Sequence, residues 1–232
     1  MQRFTCRATI LSRTDYGEAD RIYNFLTPDN GKITAIAKGV RKSRSKLAGA
    51  LEVFSISDVM FLPARKDIGT VMSARLVKHY GEITKNLERT DIGYHFLNMI
   101  NKNTAEKPDE AYFTLLQRGL ESLNNPEVDP QISKGWFIAQ LLKLSGHLPE
   151  LKVDGEGQKL NQDKKYTFDL NKMKFEQNGN GRNSFGKDQI KFLRLLFSKN
   201  GPDVLQKVQA ADGLAKQCNL LIDSMFQAHL QL

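Results

Sequence analysis

The sequence predicts an α+β chain of more than one domain: a five-stranded antiparallel barrel over residues 1–80, then an all-α region over 81–232 carrying a small inserted β-ribbon. Three observations predict it. Apolar and polar residues alternate in short runs up to residue 80, and apolar residues then recur every three or four positions. Residues 149–187 interrupt that second pattern with Gly, Asn and Lys.

The first strand is read from Phe4, Cys6, Ala8 and Ile10 on one face and Arg3, Thr5, Arg7 and Thr9 on the other. "RIYNFLT" and "KITAIAKG" follow, joined by "PDNG", where Pro28 sets a turn and Asn30-Gly31 tolerates positive φ. "LEVFSISDVMFL" and "TVMSARLVKHY", both rich in β-formers and separated by the turn-like "PARKDIG", complete the set. Five short strands with no room for helical crossovers fit a closed barrel. The count is that of an OB-fold, while an SH3-like barrel fits the same spacing.

Helical spacing begins near residue 82, with Ile83, Leu87, Tyr94, Leu97 and Ile100, and the phenylalanine and leucine residues of the helices are expected in the core. A second helix starts after Pro108 with acidic residues in its first turn, and a third runs through "PQISKGWFIAQLLKLSG" to a stop at Gly146. "KYTFDLNKMKFEQ" predicts a two-stranded ribbon turning at Asn171-Lys172. Helical spacing returns at Ile190, Leu193, Leu196 and Phe197, then through Val204, Val208, Leu214, Cys218, Leu221 and Met225.

Charge is distributed unevenly. The chain carries a net +8, of which residues 1–80 hold +7, with 14 Lys and Arg against 7 Asp and Glu. The densest run is "AIAKGVRKSRSK", where a strand pattern meets five cations and no anion. It is either a solvated loop that aids solubility or a grip on a polyanion such as nucleic acid. Tyr16, beside Gly17, is expected as an exposed ring in a loop, Phe25 in the barrel, and Tyr23 in either place; exposed rings beside a basic groove suit single-strand binding.

Other chemistries find little support. "GRNSFGKD" offers Gly181, Gly186 and Lys187 of a phosphate loop, but Asp188 stands where a hydroxyl would hold magnesium, so the segment reads as a connector with Asp188 capping the next helix. His79, His95, His147 and His229 are scattered and form no metal-binding spacing, and "TDYGEAD" reads as solvated or arginine-paired carboxylates. No enzyme, cofactor or small-molecule substrate is expected. Cys6 and Cys218 form no C-x-x-C pair, and neither an export signal nor a membrane span is indicated, so a cytoplasmic protein is expected.

Residues 10–55, with the block "RTDYGEADR", the turn "TPDNGK" and the loop "AKGVRKSRSKLAGAL", followed later by "LKLSGHLPEL", resemble the RecO family of bacterial recombination mediators. The resemblance implies an N-terminal OB-fold, a helical domain, and binding of single- and double-stranded DNA without an active site. It implies annealing of strands coated by single-stranded DNA-binding protein, and RecA loading together with RecR. Lys38, Arg41, Lys42, Arg44 and Lys46, with Arg13, Tyr16 and Arg21, are the DNA-binding candidates. Many relatives carry two C-x-x-C pairs that bind zinc after the "GHLPEL" segment; this chain has no cysteine from residue 7 to 217, so the 149–187 insert is expected to fold without metal. An OB-fold that binds RNA, or a protein–protein adaptor whose basic surface recognises acidic tails, would share the charge pattern.

Overall fold

The computed structural model describes residues 2–64, 68–104, 109–177 and 184–230. Five strands come first: β1 (Phe4–Tyr16), β2 (Asp20–Thr27), β3 (Gly31–Ala37), β4 (Ser55–Leu62) and β5 (Gly69–His79). They close into a barrel in the order β1-β2-β3-β5-β4, with β4 returning to β1. Every pairing is antiparallel except that of β3 with β5, where Ala35 and Ile36 meet Gly69 and Thr70 in parallel. This is the expected OB-fold.

Alternation drives the closure. Ala8 and Ile10 point inward with Tyr23, Phe25, Ala35, Ala37, Val59, Phe61 and Val71, and Phe4 and Cys6 pack against them. Each large side chain buried here contributes roughly 1.5–3 kcal/mol. The β1–β2 register slips between Ile10 and Ser12, which takes Leu11 out of the alternation and buries it outside that core. Thr9, expected on the polar face, is also buried, its Oγ1 donating to Ser55 O at 3.0 Å. In the β2–β3 hairpin only Gly31 takes positive φ, at 65°. Thr27 Oγ1 holds that turn by accepting from Asn30 N–H and donating to Gly31 O.

Helices α1 (Leu87–Asn103) and α2 (Glu110–Asn124) join the barrel in one compact unit, Met1–Asn124. Asn86 caps α1, its Oδ1 accepting from Arg89 N–H at 3.0 Å. The buried face of α1 is Ile92, Phe96, Leu97, Met99 and Ile100. Leu87, expected in the core, instead lies 86% exposed, and Tyr94 is 50% exposed. Seven residues is close to two turns, so these two share a stripe with Asn98 and Asn101 that flanks the buried face of Ile92, Phe96, Met99 and Ile100.

The second unit, Asn125–Leu232, contains α3 (Pro130–Leu144), a small sheet, then α4 (Lys187–Leu196), α5 (Pro202–Leu205) and α6 (Ala211–His229). Asp129 caps α3 through Gln131 N–H at 2.6 Å, and Gly146, at φ 86°, ends the segment as His147 N–H reaches Leu142 O at 2.8 Å. Buried Trp136 donates from Nε1 to Asn200 O at 2.8 Å. The predicted ribbon is a three-stranded sheet: β7 (Thr167–Asp169) and β8 (Lys174–Glu176) form the hairpin, and β6 (Glu150–Asp154) adds in parallel to β8. Positive φ in its turn falls on Met173, at 52°. Before α4 the cap is Gly186, whose N–H donates to Gln189 Oε1 at 3.1 Å; Asp188 lies inside the first turn and does not cap it. Gly181, the first glycine of the phosphate-loop-like motif, lies outside the described residues.

Candidate nucleic-acid interface

Tyr16 pairs with Asp20 and Arg21 with Ala37, so β1 finishes, β2 begins and β3 finishes at the same end of the barrel. The first basic block and the basic loop therefore meet there. Arg41 N–H donates to Ala19 O at 2.9 Å, and Gly39 N–H donates to Asp20 Oδ1 at 2.7 Å, tying the β3–β4 connection to the β1–β2 turn. Gly39 takes φ 67°, the left-handed conformation that a side chain disfavours.

The basic loop is anchored rather than loose. Val40 and Leu51 are buried in the barrel core and Leu47 packs against it. Backbone bonds from Lys42 N–H to Gly39 O and from Ser45 N–H to Lys42 O fold the stretch between into turns. Lys38, Arg41, Lys42, Arg44 and Lys46 are all exposed. Apolar side chains spaced through the run face in, and the cations between them are held outward by default.

The seven cationic candidates fall into two classes. Asp15 sits between arginines: Arg21 Nε reaches Oδ1 at 2.6 Å, and Arg41 Nη1 approaches Oδ2 at 3.5 Å. The hydrogen-bonded Arg21 holds the Asp15 carboxyl below the usual carboxylate range, with the charges of Arg21, Arg41 and Arg13 acting in the same direction. Arg13 approaches Glu52 at 3.4 Å. By contrast, Lys38, Lys42, Arg44 and Lys46 form no ion pair among the described residues. Four cations are thus free to meet a polyanion, and three are partly committed to carboxylates.

Tyr16, at 56% exposure, is an exposed ring as expected, but it is the last residue of β1 and not part of a loop. Tyr23 and Phe25 are both buried, stacked at 5.6 Å. The carboxylates that organise the arginines were not singled out as site residues. The alternation that places Arg13 and Asp15 two apart on one strand was the signal available for the first.

A second feature borders this end. Leu11, Ser12 and Arg13 of β1, Val53, and Asp91, Tyr94, His95, Leu97, Asn98 and Asn101 of α1 line a groove of about 540 Å³. Among the described residues, no group of three or more His, Cys, Asp or Glu side chains could hold a metal, and no helix is long and apolar enough to cross a membrane.

Residues 1–80 match the family model described as Recombination protein O N terminal. A Dehalococcoides mccartyi protein named DNA repair protein RecO is 37% identical over 150 residues, covering 64% of this chain and 58% of its own length. Proteins of the same name from Moorella thermoacetica and Rubrobacter xylanophilus are 33% and 31% identical, over 65% and 68% of this chain. The matched stretch spans between 55% and 66% of the length of these three relatives. Through its barrel and the helices that follow it, the chain belongs to the RecO family.

Proposed function

We propose that this protein is a DNA-binding recombination mediator in DNA repair, acting without catalysis of its own. The observation that carries the reading is the anchored loop at one end of the barrel, with Lys38, Lys42, Arg44 and Lys46 exposed and unpaired beside Arg13, Arg21 and Arg41. Such a surface contacts phosphate and not base edges, so it serves single and double strands alike. A surface of this kind neutralises two strands while leaving their bases available to pair, which is the requirement for annealing. The family likeness extends the reading to strands coated by single-stranded DNA-binding protein, and to RecA loading in partnership with RecR.

Annealing of complementary strands coated by single-stranded DNA-binding protein tests the activity, with acceleration expected. Salt titration tests the surface. Four phosphate contacts on a single strand give a log affinity against log salt slope of about 2.8. Changing Lys38, Lys42, Arg44 and Lys46 together to Ala is expected to remove most of that slope while the protein stays folded, since exposed charges contribute little to stability. Unchanged affinity and slope would reduce the loop to a solubility feature. A uniform preference for RNA would favour an RNA-binding module.

A further inference from the structure

We propose that the groove between β1 and α1 is a nucleobase subsite in which one unstacked base lies on the ring of Tyr94. This rests on the DNA-binding reading and goes beyond it, because the loop cations recognise phosphate alone.

Tyr94 is a half-exposed aromatic on α1 that lines the groove opposite Leu11, Ser12 and Arg13 of β1. Its ring is braced from beneath: Phe54 is buried and meets it edge-on, with centroids 5.0 Å apart and planes at 60°. A ring held in this way loses little side-chain freedom when a ligand settles on it. The groove it borders lies in the size range of small-ligand sites.

The lining decides which part of a nucleotide fits. Asp91 on the groove and Glu52 beside Arg13 are carboxylates, and they repel a phosphate. The phosphates of a bound strand therefore stay on the loop cations, and the base is the group that enters. Among the described residues Asn98 and Asp91 form no side-chain hydrogen bond or ion pair, and His95 Nδ1 is buried without a hydrogen-bond partner. An ionised carboxylate accepts only, so Asp91 favours a base presenting an exocyclic amino group, as cytosine and adenine do and thymine does not. Arg13 belongs both to the cationic end of the barrel and to the groove lining, which makes the two surfaces continuous.

The test measures binding of dC, dT and abasic oligonucleotides of equal length to the intact protein and to Tyr94→Ala, Tyr94→Leu and Tyr94→Phe. Losing one stacked base lowers affinity by about 5- to 150-fold. That loss is expected for dC with Tyr94→Ala and Tyr94→Leu and not with Tyr94→Phe. The abasic strand is expected to be indifferent to all three, with salt slopes unchanged. Tyr94→Leu keeps apolar packing on Phe54, so it stands in if the alanine variant is unstable. Equal binding of dC by Tyr94→Leu and the unmodified protein, or an equal loss for the abasic strand, overturns the subsite while leaving the loop surface intact. Absence of salt-dependent binding to every strand by the unmodified protein overturns the DNA surface itself.

Discussion

The ring of Phe54 lies where a side chain on Gly93 would stand: a Cβ there would fall 2.7 Å from Phe54 Cε1 and 2.9 Å from Cζ. Phe54 is itself held at φ 59°, a left-handed conformation rare for a bulky residue, with its carbonyl accepting from Tyr80 N–H at 2.9 Å. The missing side chain on α1 is what lets this buried ring slide under Tyr94. Gly93→Ala gains up to about 1 kcal/mol of helix propensity but overpacks a rigid site at about 1–3 kcal/mol. A net loss of about 1–2 kcal/mol is expected in urea unfolding, together with a displaced Tyr94 seen as weaker dC binding.

A tighter approach joins α3 to α6. A Cβ on Gly135 would lie 2.1 Å from Asn219 Oδ1, and Asn219 is buried, donating from Nδ2 to Gln131 O at 2.9 Å. The Asn219 amide cannot swing aside without breaking that bond. Gly135→Ala is expected to destabilise by about 2–4 kcal/mol. Adding Asn219→Ala removes the clash, so the double variant is expected to be more stable than the sum of the singles predicts, by about 1 kcal/mol or more in a double-mutant cycle.

Asp15 restrains two of the arginines at the end of the barrel. Asp15→Asn releases Arg21 and Arg41 toward phosphate, and two added contacts steepen the single-strand salt slope by about 1.4. The direction with pH follows from the lowered carboxyl. A carboxylate with a depressed folded value stays ionised above the unfolded range and loses its pairing only as pH falls through the folded value. The salt slope of the unmodified protein is therefore expected to be unaffected by Asp15 between pH 5 and 8, and to approach that of Asp15→Asn only under more acidic conditions. A slope that already converges at pH 6 would contradict the pairing.

In the small sheet, Phe175 is wholly buried and meets the rings of Tyr166, Phe168 and Phe185 at 6.3, 5.1 and 5.8 Å. Asp154, also buried, holds the adjoining loop by accepting from Glu156 and Gln158 N–H at 3.0 and 2.9 Å. Phe175→Ala is expected to cost about 3–5 kcal/mol and to open the sheet to amide exchange. A metal chelator is expected to leave its exchange unchanged. One tightly held zinc per chain, with unfolding on its removal, would overturn the second expectation.

The barrel was legible in the sequence because strand alternation is local. Cys6, Ala8 and Ile10 face the same core whatever their partners, and Gly31 and Gly146 mark their turns without knowledge of the rest of the chain. The basic loop was legible for a related reason: Val40, Leu47 and Leu51 punctuate it at spacings that leave the cations outside. Only the tertiary structure decided what those cations touch. Asp15 and Arg41 are far apart in sequence, and their approach depends on β1 and β3 ending at one side of the barrel. It also decided that Tyr94 is exposed. Helical periodicity gives the angle between side chains but not which stripe meets a neighbour, and Phe54 and Gly93 settle that through packing between residues 39 positions apart. The third strand of the small sheet escaped for the same reason, since β6 gains its place by pairing with β8 beyond a long connection, a contact no local pattern specifies.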